Sequence, residues 1–154
     1  MLTIHAAEAL RYGWDEEFEP VPGGAVAVQG NRVVGMGTLA EVQEQFPDAR
    51  VRHWPGVLGP AFLHQGPIPD APTPRERMHA LLKTGATAVL EEHVDTPELR
   101  AAAARNDIIV VPPTMPVRRP YGFVHAGRAD LAIFDESGEC IATVCAGRLV
   151  HRRR

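Results

Sequence analysis

The chain changes its hydrophobic period twice, and that order limits what it can fold into. From Leu2 to Trp54 the apolar residues fall in short runs broken by turn residues, as strands require. Leu2–His5, Ala25–Val28, Arg32–Gly37 and Ala49–Trp54 read as strands, and Gln29-Gly30-Asn31-Arg32 reads as a hairpin turn. Leu39, Val42 and Phe46 mark a short helix, and Arg11–Pro22 reads as an acidic loop. After the proline-rich connector Gly66–Thr73 the period changes. Thr73-Pro74-Arg75-Glu76 combines an N-cap, a proline at the first helical position and a capping-box glutamate. That helix runs to about Thr84 and stops at Gly85; Thr87–Leu90 follows as a strand. Thr96-Pro97-Glu98 starts a second helix, Pro97–Arg105, which ends at Asn106, a residue able to turn left-handed. Ile108–Val111 is a buried-type strand, and strand–helix–strand implies parallel pairing. Ala129–Phe134, Cys140–Cys145 and Leu149–His151 return to strands. The expected fold is mixed α/β: residues 1–60 and 127–154 form one β-sandwich, and 61–126 form an inserted α/β segment.

Charge and cysteine usage exclude several classes. Sixteen basic against nineteen acidic residues leave a net charge of −3, with no basic stripe, so no nucleic-acid partner is expected. Arg152–Arg154 reads as a solvated tail, and Lys83 is the only lysine. No apolar run approaches the roughly 20 residues that span a membrane, and Met1–Leu10 lacks a secretory pattern. The expected location is the cytoplasm. Cys140 and Cys145 sit five apart on one strand, which should point them to opposite faces as unbridged thiols. At 154 residues the chain falls short of the roughly 250 of a closed (β/α)8 barrel.

Two long stretches resemble a known family. GGAVAVQGNRVVGMGTLAEVQEQFPDARVRHWPGVLGPAFL (Gly23–Leu63) resembles the N-terminal strands of the amidohydrolase superfamily, especially those of imidazolonepropionase-like proteins and aminodeoxyfutalosine deaminases. GRADLAIFDESGECIATVCAGRLVHRR (Gly127–Arg153) is similar to the C-terminal strands of that family, and LLKTGATAVL (Leu81–Leu90) to its first barrel helix and second barrel strand. The resemblance implies a composite β-sandwich made by both chain ends, with 61–126 as a small remnant of the (β/α)8 barrel. It also implies a C–N hydrolase or deaminase chemistry dependent on Zn or Fe.

The sequence departs from the family where the metal should bind. The family reads Pro-Gly, four residues, then His-x-His; here Pro60 is followed by Ala61, and Gly66 and Ile68 stand at the two histidine positions. His64 falls two places early. The expectation is therefore no catalytic metal and no other cofactor. By the geometry of α/β barrels, the strand ends at His64-Gln65, Glu91-Glu92-His93 and Pro112-Pro113-Thr114 should converge. His64, Glu91, Glu92 and His93 are the candidates for acid–base or metal chemistry; the alternative is a polar loop leading into a helix. The loop Pro112–Gly127 holds four prolines. Arg118, Arg119 and Arg128 are candidates for an anion site, while His5, Glu8, His53, Trp54 and His125 are not assigned chemistry.

Three functions stay open at this point. The leading one is a non-catalytic composite-domain protein that binds itself, a partner enzyme or a small ligand. The second is a small hydrolase or deaminase of non-peptide C–N bonds with a site rebuilt around His64 and Glu91–His93. The third is a remnant without present function. A three-strand sheet with helices on one side leaves an apolar face and an open edge, which implies a homodimer through Thr87–Leu90, Ile108–Val111 or the helix Met78–Thr84. The competing closure is by the segments Gly66–Pro72 and Pro112–Pro120 folding over within one chain.

Overall fold

The computed structural model describes residues 2–113 and 127–153. The strands are β1 (Leu2–Leu10), β2 (Val21–Pro22), β3 (Gly24–Gln29), β4 (Arg32–Thr38), β5 (Arg50–Pro60), β6 (Phe62–His64), β7 (Ala86–Leu90), β8 (Ile109–Val111), β9 (Leu131–Phe134), β10 (Cys140–Cys145) and β11 (Arg148–Arg152). The helices are α1 (Leu39–Gln45), α2 (Pro74–Lys83) and α3 (Pro97–Arg105), with a 3-10 turn at Glu91–His93. This is a mixed α/β fold with one large sheet. The large sheet runs β11-β10-β9-β5-β1-β3-β4, with β2 beside β1; a second sheet runs β6-β7-β8.

The large sheet joins strands from both parts of the chain. Val57, Leu58, Gly59 and Pro60 of β5 pair antiparallel with Phe134 to Leu131 of β9. Strand pairing is continuous through all eight strands rather than divided between two sheets. The sheet also curls until β4 meets the segment entering β9: the Val33 amide donates to the Gly127 carbonyl at 2.9 Å, and the Ala129 amide to the Asn31 carbonyl at 2.7 Å. Alternation then sorts the side chains. Val26, Val28, Leu58, Leu131, Ile133 and Val144 fill the inside of the curl. Ile4, Ala6, Ala25 and Ala27 face outward onto Val42 of α1.

Two strands are longer than sequence alone indicates. β1 continues to Leu10 and β5 to Pro60, through Pro55, Gly56 and Gly59. Those residues argue against a strand, yet Gly56 has φ +89 and bends β5 where its Cα faces the Phe134 carbonyl. β8 begins one residue later than expected, at Ile109.

The helix starts follow local chemistry. Thr38 and Glu41 cap α1 reciprocally, with Thr38 Oγ1 accepting from the Glu41 amide at 3.2 Å and Glu41 Oε1 from the Thr38 amide at 3.0 Å. Thr73 accepts from the Glu76 amide and Thr96 from the Leu99 amide, both at 3.1 Å, and each precedes a proline. The end of α3 differs from expectation. Asn106 stays at φ −100 because its Nδ2 donates to the Ala102 carbonyl at 2.7 Å, prolonging the helical turn. The left-handed residue is Asp107, φ +57.

β6, β7 and β8 are parallel, with α2 and α3 as crossovers. Met78, Leu81, Leu82, Val89, Leu99, Ala102, Ala103 and Ile108 form their core, and Cys145 joins it from the large sheet. Thr143, fully buried on β10, donates its hydroxyl to the Leu82 carbonyl at 2.7 Å and ties α2 to the large sheet. No described helix is long and apolar enough to cross a membrane.

Candidate functional site

Because β6, β7 and β8 are parallel, their C-terminal ends lie on one side. β6 ends at His64, whose Nε2 donates to the Pro67 carbonyl at 2.9 Å. β7 leads straight into the 3-10 turn, where His93 Nε2 donates to the Gln65 carbonyl at 3.2 Å. The structure thus brings His93 to the exit of β6. Glu92 lies 3.7 Å from His93 and is exposed, and Glu91 turns toward Arg100 of α3 at 3.6 Å. Both imidazoles serve as backbone clamps with Nε2 protonated, which leaves Nδ1 of each as the only ring atom able to accept.

Positions 66 and 68 offer no ligand to a metal ion. Ile68 is 3% exposed and packs with Met78, Leu81 and Leu82, while Gly66 offers no donor side chain. Among the described residues, no group of three or more His, Cys, Asp or Glu side chains could hold a metal ion.

Of the anion candidates, Arg118 and Arg119 lie outside the described residues, as do Thr114 and His125. Arg128 is engaged inside the fold. Its Nε binds Asp130 Oδ2 at 2.9 Å, and its terminal nitrogen bonds the Asp107 carbonyl and lies 3.1 Å from Cys145 Sγ. Asp130 in turn accepts from the Ala146 amide at 3.0 Å, supporting the left-handed Ala146, φ +51. Arg128 therefore links the helix end of α3 to the turn between β10 and β11.

The two cysteines share a face, contrary to the five-residue spacing. Cys140 pairs with Phe134 and Ala142 with Ile133, so Ile141 is the extra residue of a bulge. Cys140, Thr143 and Cys145 turn toward α2 and α3, while Ile141, Ala142 and Val144 enter the curl. Both thiols are free and buried, and burial pushes their pKa up, Cys145 to about 11. They are protonated at neutral pH and poor nucleophiles.

His5 and Trp54 form a buried pair. Trp54 Nε1–H donates to His5 Nδ1 at 3.1 Å, and the rings stack at 6.3 Å. Burial, with Arg52 and Arg50 nearby, lowers the His5 pKa to about 4. The imidazole is neutral and structural, and Glu8 likewise holds the Gly56 amide at 3.1 Å.

Sequence reasoning missed a cavity of about 580 Å³ between α2 and the β10–β11 hairpin. His79, Lys83, Glu139, Cys140, Val150, His151, Arg152 and Arg153 line it. Arg152 and Arg153 are solvent-exposed and stand at its rim: Arg152 ends β11 with its guanidinium 5.5 Å above the Trp54 ring, and Arg153 pairs with Asp135 at 2.8 Å and with Glu139. His79 and Lys83 stand one helical turn apart, the only local signal available.

Comparisons with known proteins give partial likenesses. Residues 24–49 match the bacterial imidazolonepropionase-like composite domain. No curated protein matches the chain. Among solved structures, guanine deaminase from Bradyrhizobium japonicum is similar at 14% identity and TM-score 0.56, over 80% of this chain and 37% of that one. E. coli guanine deaminase is similar at 18% identity and TM-score 0.55, over 73% and 35%. A. niger ochratoxinase follows at 18% and 0.51, over 72% and 31%. The matches thus reach about a third of the length of these structures. Residues 24–49 are thus similar to the imidazolonepropionase-like composite domain, and the chain shares its fold with part of these solved structures.

Proposed function

We propose that this is a non-catalytic composite-domain protein of the amidohydrolase type, acting in the cytoplasm by binding. In this reading residues 1–60 and 127–154 are the composite β-sandwich, and 61–126 are a small remnant of the barrel. One observation carries it: the positions of the paired metal-binding histidines hold Gly66 and the core residue Ile68, 3% exposed. Converting the second back into a ligand would place an imidazole in an apolar cluster. A second copy of the chain is the proposed partner. Ile109 on β8 is 40% exposed, and among the described residues no strand pairs with the outer edge of β8.

The test is metal content together with ammonia release from guanine, the substrate in the names of two similar structures, using protein purified without added metal. Sub-stoichiometric metal and no ammonia release are expected. One Zn or Fe per chain, lost in His64→Ala or His93→Ala along with ammonia release, would overturn the reading. It would instead establish a C–N hydrolase or deaminase rebuilt on His64, Glu91, Glu92 and His93, for which His93 at the β6 exit supplies the geometric basis.

A further inference from the structure

The cavity between α2 and the β10–β11 hairpin concentrates positive charge in a chain whose net charge is −3. Its lining holds Lys83, Arg152 and Arg153 with His79 and His151, against one carboxylate, Glu139. Glu139 and the nearby Asp135 both pair with Arg153. Among the described residues no carboxylate pairs with Lys83 or Arg152; Arg152 instead rests over the Trp54 ring, 5.5 Å away. More cations stand behind these. Arg75 and Lys83 both act on His79, and Arg50 and Arg152 both act on Arg52. Lys83 and Arg152, without a carboxylate partner of their own, repel each other and the neighbouring cations, and an anion between them relieves that repulsion.

The lining also provides for something other than a bare ion. Val150 and the Cys140 thiol form an apolar part of the wall, beside the cationic groups. The His151 ring is held by its Nε2–H donating to the Cys140 carbonyl at 3.1 Å, which orients it on the hairpin. A volume of about 580 Å³ lies within the range of small-molecule sites.

We propose that this cavity binds a small organic dianion, a phosphate monoester or a dicarboxylate, between Lys83 of α2 and Arg152 of β11, with its organic part against Val150. The charged group sits between the ammonium and the guanidinium, beside His79 and His151. Protonation of His79 is opposed in the empty cavity by burial and by Lys83, His151 and Arg75, and a bound anion removes that opposition. The proposal goes beyond the reading above, because it uses neither His64 nor the Glu91–His93 turn.

The test uses glycerol 3-phosphate and succinate as probes, titrated into the whole chain to about 10 mM at constant ionic strength. Calorimetry measures affinity, and the two tryptophan indole N–H signals report location by NMR. Saturable binding of at least one probe is expected, with the Trp54 signal shifting through Arg152. The Trp14 signal should stay still, because Trp14 packs against Phe62 and Phe134, away from the cavity lining. Preference for glycerol 3-phosphate assigns the phosphate class, and preference for succinate the dicarboxylate class. Lys83→Met and Arg152→Gln should each weaken binding about fivefold, whereas Arg105→Gln on α3 should leave it unchanged. No saturable binding of either probe, equal effects of all three variants, or binding that leaves Trp54 unmoved would each overturn the proposal.

Discussion

The curled sheet and the parallel layer are built on different length scales. In the curled sheet, β1 has nine residues and β5 eleven, and the central pairing joins Val57 to Phe134. In the parallel layer the strands have three, five and three residues, and each crossover is one short capped helix. Only Ala61 separates β5 from β6, so the chain passes from one sheet to the other almost without a break. The difference shows where each region gets its order. Long strands with distant partners depend on closing large loops, an entropic cost offset by burial on both faces of the sheet. The short parallel strands are too brief to stand alone, and they depend on local caps and on packing against β10.

The largest expected contrast is at glycine. A Cβ on Gly56 would sit 2.1 Å from the Phe134 carbonyl oxygen, at φ +89, in the pairing that joins the two parts of the large sheet. Gly56→Ala should cost about 3–5 kcal/mol or prevent folding. Gly66→Ala in the other region, where the nearest atom is His64 Nε2 at 3.9 Å, should change stability by less than about 0.5 kcal/mol. Chemical denaturation measures both, and equal losses would break the comparison.

Acid should act next, through the large sheet. The His5 pKa is about 4 in the folded state against 6.5 for a free imidazole, so the unfolded chain binds the proton more readily between those values. This contribution is complete above pH 6.5 and is lost as the pH falls toward 4. Between pH 7 and 4.5 it should amount to about 2–3 kcal/mol. His5→Gln keeps an acceptor for Trp54 Nε1–H and does not titrate there. Its urea midpoint should fall by correspondingly less over the same pH interval, and an unchanged pH dependence would show that His5 is not buried neutral.

The smallest effect on stability belongs to the open edge of the parallel layer. Ile109→Asp should alter denaturation by less than about 0.5 kcal/mol. Light scattering should nevertheless show the mass falling from twice 16.8 kDa to 16.8 kDa. A parent protein already at 16.8 kDa would mean that β8 is not an interface between copies.

The parallel layer was the more legible region. Thr73-Pro74 and Thr96-Pro97 state their helix starts within four residues, and the βαβ spacing implies the parallel pairing that is observed. β5 was read short because Pro55, Gly56 and Gly59 argue against a strand, and only Phe134 across the sheet explains why Gly56 is there. The convergence of His93 on the β6 exit was also legible, since it follows from parallel strands. Its hydrogen bond to Gln65 was not, because nothing near His93 in sequence specifies which carbonyl lies opposite.

What the sequence determined by itself is whatever depends on neighbours a few residues apart: the N-caps at Thr73 and Thr96, the hairpin turns, the switch of period, and the absence of histidine at positions 66 and 68. Tertiary structure alone decided which face the cysteines share, since the bulge at Ile141 reverses the alternation. It also took Arg128 into a structural link and gathered Lys83, His79, His151 and Arg152 around one cavity. The physical reason is range. A cap or a turn is closed by the chain's next few atoms, whereas a bulge, an ion pair or a cavity is set by groups that only folding brings across from distant segments.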